Sequence, residues 1–203
     1  MTQLSYAPLI LASASPRRVD LLSLFGIPFE TVPSLAEETA EEAPNVEGSA
    51  LAQSMARLKC DDVYSRFPER FVLAADTIVC VDDEALGKPK DPADAARMLQ
   101  QLSGRWHEVH TGVCLRGPNG CHRLHVETTR VLFSALSADM IDRYVRTGES
   151  MGKAGAYAIQ GISGMFIAKI EGSPSNVIGL PLHLVRSLLE DAGFSLLPLP
   201  SNE

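Results

Sequence analysis

Two serines, a proline and two arginines follow an apolar run in Leu9-Ile10-Leu11-Ala12-Ser13-Ala14-Ser15-Pro16-Arg17-Arg18, and these residue types at this spacing suit the capture of phosphate. The apolar residues read as a buried strand, Ser15 as a helix cap, and Pro16 as the first helical residue, where a missing N–H costs nothing. Unpaired helix N–H groups, two hydroxyls and two guanidiniums then converge on one point, a geometry for a polyanion. The same turn also fits plain capping with a surface salt bridge. Asp76 and Thr77 close an otherwise apolar run, and a carboxylate at the carboxyl end of a sheet strand commonly sits at a ligand crevice. Lys59, on a helix, and Lys88, in a Gly-Lys-Pro loop, are cations that either meet phosphate or stay solvated. Gln160 stands in a run of small residues, and its amide, having no useful pKa, is suited to recognition rather than proton transfer.

The elements that must hold these residues follow from periodicity. After the first strand, Leu21, Leu22, Leu24 and Phe25 form an apolar helical face that Gly26 ends, and a strand resumes over 29–32. A helix from about Ser49 to Arg66 buries Leu51, Met55, Leu58 and Val63 and carries Lys59. Residues 71–75 read as an interior strand that stops at Asp76-Thr77, with a second strand over 78–81. Asp91-Pro92 opens a helix with Ala95, Met98, Leu99 and Leu102 inward, which Ser103-Gly104 stops. Two long β segments between Trp106 and Phe133 flank the turn Gly117-Pro118-Asn119-Gly120. Ser137 caps a helix with Met140, Ile141, Tyr144 and Val145. The small residues of 152–161 let backbone approach a ligand and read as a site wall. A strand over 166–170, a loop over 172–176 and a helix over 181–192 follow. With no internal repeat or dividing linker, one α/β domain over 1–203 is expected.

Bulk properties narrow the function. A chain of 203 residues, 45% of them apolar, buries a core without staples. Cys60, Cys80, Cys114 and Cys121 lack CxxC or zinc-site spacing and read as thiols in a reducing compartment. No basic segment precedes an apolar run at the start, and no stretch is long enough to span a bilayer, so a cytoplasmic protein with no membrane partner is expected. A net charge of −7 argues against affinity for nucleic-acid backbone, so any phosphate must be held locally. The acidic run Glu37-Glu38-Thr39-Ala40-Glu41-Glu42 is either a solvated loop or a source of carboxylates for a metal.

Taken in order, Leu11-Ala12-Ser13-Ala14-Ser15-Pro16-Arg17-Arg18, Ala75-Asp76-Thr77, Gly87-Lys88-Pro89, Leu102-Ser103-Gly104, His110-Thr111-Gly112, Lys153-Ala154-Gly155 with Gln160-Gly161, and Val177-Ile178-Gly179-Leu180-Pro181 resemble the Maf family of nucleoside triphosphate pyrophosphatases over nearly the whole chain. The resemblance implies an α/β fold with an extended mixed β-sheet flanked by helices and two lobes around a nucleotide-binding cleft, as in inosine triphosphatase. It implies hydrolysis between the α and β phosphates, a divalent cation (Mg²⁺ or Mn²⁺), and a homodimer. On this resemblance Ser13, Arg18, Lys59 and Lys88 hold the triphosphate. Asp76 accepts the proton of the attacking water, and Glu38, Asp76 and Glu37 are the metal ligands, although the family often has Asp-Glu where this chain has Glu37-Glu38.

Arg17, Thr77 and Gln160 match the family's thymidine and uridine triphosphate branch, so dTTP and UTP are the expected substrates, with CTP and modified pyrimidine nucleotides as further candidates. The 7-methyl-GTP branch carries Trp or another residue, Gln and Glu at these places. A non-catalytic, nucleotide-responsive regulator of septum formation would need the phosphate pocket but neither Asp76 nor the metal.

Overall fold

The computed structural model describes residues 7–36, 47–82, 84–118 and 120–197. Alternating apolar residues build one seven-stranded mixed sheet. Strand β1 (Leu9–Leu11) pairs in parallel with β2 (Phe29–Thr31) and with β3 (Val72–Val81). The sheet then runs antiparallel from β3 through β5 (Trp106–Gly117) and β6 (Cys121–Phe133) to β7 (Ile167–Glu171), while β4 (Glu84–Leu86) folds back on β3. The helices are α1 (Pro16–Ser23), α2 (Gly48–Arg66), α3 (Pro92–Leu102), α4 (Ala138–Arg146), α5 (Pro174–Ile178) and α6 (Leu182–Asp191).

Asp76 and Thr77 do not end a strand. They pair in unbroken register with Gly112 and Thr111 of β5, and this ladder overrides the poor strand preference of one aspartate. The crevice has another origin. Strand β5 flanks β3 along one edge, whereas on the other edge β1 reaches only Val72 and Leu73, and β4 only Val79 to Val81. On that second edge residues 74–78 have no described strand beside them. Asp76 therefore lies in mid-strand but just past the carboxyl end of β1, the place where parallel sheets hold ligands.

This gap also divides the core. On one face of the sheet, Phe71, Leu73 and Ala75 pack with Val113, Leu115 and the inner sides of α1 and α6. Farther along the same face, Val79, Val81 and Val109 pack with α3 and α4. Thr77 and its partner Thr111 lie between these two apolar clusters, on the floor separating the lobes. The opposite face of β3, with Val72 and Ala74, is covered by Ala56, Cys60 and Val63 of α2.

Five local expectations change. Leu24, Leu58 and Met140 are 63%, 38% and 42% exposed. For α1 this is because the helix ends at Ser23 and Leu24 is its cap. In α2 the buried stripe uses Ala52, Ala56 and Cys60, since the helix backbone lies so close to β5 that a Cβ on Gly112 would stand 2.2 Å from the Ala52 carbonyl oxygen. Residues 174–178 are helical rather than a loop, entered through a proline and closed by Gly179 at φ 123°. Ser15 occupies the N-cap of α1, but its side chain makes no capping bond; its N–H donates instead to Ser13 Oγ at 3.1 Å. Ser137 and Asp91 do cap, accepting from Met140 N and Asp94 N. The four cysteines are unbridged. No helix among the described residues is long and apolar enough to cross a membrane.

Candidate active site

The Asp76 side chain points to the α2 face, where Lys59 Nζ donates to its Oδ1 at 2.5 Å. These side chains are only 13% and 12% exposed, so the Asp76 carboxylate is compensated at close range by the Lys59 ammonium. Helix α2 places Lys59 here because the sheet carries Gly112 next to Asp76, which admits the helix at close range.

A second cluster occupies the opposite face of the same opening. Arg18, in the first turn of α1, donates through Nε to Gly179 O at 2.8 Å, through Nη2 to Thr77 Oγ1 at 3.1 Å, and through Nη1 to Ser13 Oγ at 3.5 Å. Thr77 Oγ1 lies 3.0 Å from Thr111 Oγ1, and Thr111 donates its one hydroxyl proton to the Asn176 carbonyl at 3.0 Å. Thr77 must then be the donor to Thr111 while accepting from Arg18. The buried Asn176 continues the chain, donating to Val109 O and Thr129 Oγ1. The network ties α1, β3, β5, β6 and α5 together at the cleft floor.

Lys88 is exposed and follows Gly87, whose carbonyl accepts from Gly155 N at 3.1 Å, so the Gly-Lys-Pro loop is stitched to the small-residue segment. Gly155 adopts φ 65°, and a Cβ there would come within 2.9 Å of the Val79 side chain. Gln160 is exposed in the turn between Ala158 and Ser163. Arg17 is half-buried and close enough to Lys153 to act on it: burial first, then the Arg17 charge, holds the Lys153 ammonium below its ordinary pKa. Lys153, which carried no role in the sequence reading, thus belongs to the cationic lining.

Asp76 is joined to Lys59, and Ser13, Arg18 and Thr77 to one another. The Gly87–Gly155 bond links the loop that carries Lys88 to the segment that leads to Gln160. Glu37 and Glu38 lie outside the described residues. Among the described residues no group of three or more His, Cys, Asp or Glu side chains is placed to hold a metal ion. Asp76 still offers oxygen chemistry suited to a hard cation, and Mg²⁺ needs only one or two carboxylates beside substrate phosphates and water. Sequence reasoning assigned no role to Thr111, Asn176 or Gly179, whose contacts join distant segments.

The model of the family described as Maf-like protein matches residues 8–192. The dTTP/UTP pyrophosphatase of Ruminiclostridium cellulolyticum is 44% identical over 183 residues, covering 90% of this chain and 94% of the relative. That of Koribacter versatilis is 48% identical over 187 residues, covering 91% and 94%. Among solved structures, the Staphylococcus aureus Ham1 protein superposes with a TM-score of 0.52 at 15% identity, over 92% of this chain and 100% of that one. The last likeness speaks to the fold, an extended mixed sheet with two lobes.

Proposed function

The chain belongs to the Maf-like protein family, and from that premise we propose that it is a nucleoside triphosphate pyrophosphatase that hydrolyses dTTP and UTP to the monophosphate and pyrophosphate. Relatives named dTTP/UTP pyrophosphatase, 44% and 48% identical over nearly their full length, support the activity and the pyrimidine preference. The observation that carries the reading at the level of residues is the carboxylate of Asp76, held by Lys59 on the open stretch of β3 with the Ser13–Arg18–Thr77 cluster on the other face.

In this reading Asp76 accepts the proton of the attacking water, and Lys59 holds the carboxylate in place. Ser13, Arg18, Lys59 and Lys88 position the triphosphate and oppose its charge, the main contribution a protein makes to cleaving a phosphoanhydride. A divalent cation, Mg²⁺ or Mn²⁺, held by Asp76 with Glu38 and Glu37, would neutralise charge on the phosphate oxygens. Arg17, Thr77 and Gln160 select the base. A glutamine amide offers both a donor and an acceptor to a pyrimidine edge, and a mismatched edge leaves buried groups unpaired at about 1–3 kcal/mol each. The unbridged cysteines suit a cytoplasmic setting. A homodimer belongs to the same proposal and is read by sedimentation.

A panel of nucleoside triphosphates with Mg²⁺ or Mn²⁺, scored for pyrophosphate release, tests the reading. Preference for dTTP and UTP supports it. Preference for 7-methyl-GTP overturns the roles of Arg17, Thr77 and Gln160, and cleavage of no triphosphate favours the regulator of septum formation.

A further inference from the structure

Gln160 sits on a turn with no strand beside it in the sheet, so its orientation must be set some other way. The neck of the turn is closed by Ala158 N, which donates to Ser163 Oγ at 2.9 Å, and by Gly161 N, which donates to Ala158 O at 2.9 Å. The turn as a whole is then fastened by a single carboxylate from outside it. Glu149, just past α4, accepts from Ile162 N through Oε2 at 2.9 Å. Through Oε1 it accepts from Ser163 N at 3.2 Å and Tyr144 Oη at 3.1 Å, while Ser163 Oγ, 3.2 Å away, has the Ala158 carbonyl nearer at 2.8 Å for its one proton.

Glu149 also meets the small-residue segment from the other side, since its backbone carbonyl accepts from Lys153 Nζ. Space is shaped to match: a Cβ on Gly161 would stand 2.4 Å from one carboxylate oxygen and 2.5 Å from the other. Burial pulls the carboxyl pKa up, but the Ile162 and Ser163 amides and the Tyr144 hydroxyl hold it below the usual range. Ionised, the group is an acceptor only, matching these three donors.

We propose that Glu149 is a positioning residue for base recognition: its carboxylate, clamped on Ile162, Ser163 and Tyr144, fixes the turn that presents Gln160 to the nucleobase. This rests on the role given to Gln160 above. A side chain that only stiffened the end of α4 would lower stability without touching the choice of base.

Six proteins separate these cases: wild type, Q160A, E149Q, G161A, E149A and the double variant E149A/G161A. Each is assayed for kcat and KM with UTP and with GTP, and for thermal midpoint. E149Q keeps the shape of the side chain but sets an NH₂ donor against N–H or O–H donors. G161A leaves Glu149 in place and displaces its carboxylate. Both are expected to reduce the UTP-over-GTP ratio of kcat/KM by about tenfold, through a raised KM for UTP, with GTP turnover little changed. In an E149A background the G161A change should have no further effect, because the group it displaces is gone. Equal losses on both nucleotides, or an unchanged ratio where Q160A lowers it, overturn the positioning role of Glu149. An unchanged ratio in Q160A overturns the reading of Gln160, and the proposal for Glu149 falls with it.

Discussion

The ammonium of Lys59 lies 2.5 Å from a carboxylate oxygen of Asp76, and both side chains are nearly nine-tenths withdrawn from water. Asp76→Asn keeps an acceptor for Lys59 but removes the proton-accepting charge. Turnover of UTP should fall by at least about 100-fold with nucleotide affinity largely kept. Lys59→Met removes the other partner and strands a carboxylate, which should cost on the order of 3 kcal/mol of stability. Steady-state kinetics and urea unfolding of the two variants give these quantities separately. Full activity in Asp76→Asn would remove Asp76 from the mechanism.

Arg18 does a structural task as well as any contact with phosphate, because three of its N–H groups go to Gly179, Thr77 and Ser13. Thr77→Val should destabilise by about 1–3 kcal/mol, since it leaves a guanidinium donor and the Thr111 hydroxyl short of a partner, whereas Thr77→Ser should be near neutral. Arg18→Lys cannot reproduce the planar fork and should destabilise even without nucleotide. Denaturant midpoints in the absence of substrate decide this.

Gln160 is exposed, so substitutions there should act on recognition and not on folding. Gln160→Glu should lower kcat/KM for dTTP and UTP by about 10-fold or more, as an acceptor-only group meets the acceptor side of the pyrimidine edge. The thermal midpoint should stay within about a degree of the parent.

His107 makes stability depend on acid. It is buried, lies 2.8 Å from Tyr157 Oη and meets Phe133 edge-on, and burial lowers its pKa from 6.5 to about 4. The folded state therefore favours the neutral imidazole while the unfolded chain takes up a proton. The stability linked to this group is complete above pH 6.5, falls as pH drops toward 4, and levels below that, a loss of about 3 kcal/mol. His110 is shifted in the same direction, by burial against the opposing charges of Glu108 and Glu47. Comparing urea midpoints of His107→Leu and the parent from pH 7 to 4 isolates His107, and parallel curves would contradict its shift.

Patterns that repeat locally were legible in the sequence. The two long β segments that became β5 and β6, the turn at Gly117 and the caps at Asp91 and Ser137 follow from short-range rules. The Ser-Pro-Arg-Arg turn was legible as a cationic helix start, but not the fate of Arg18, whose carbonyl partner lies 161 residues on. Asp76 read as a strand end because its charge breaks an apolar run; only pairing with β5, supplied 36 residues later by Gly112, carries the strand through. Glu149 gave no local signal at all, since its donors come from a turn and a helix that meet only in the folded chain.

Cleavage between the α and β phosphates of a pyrimidine nucleotide can be read by ³¹P NMR of UTP during turnover. With Mg²⁺ present, UMP and pyrophosphate should rise in equal amounts, and chelating the metal should stop both. UDP with inorganic phosphate, or no change in the UTP resonances at all, would contradict the account.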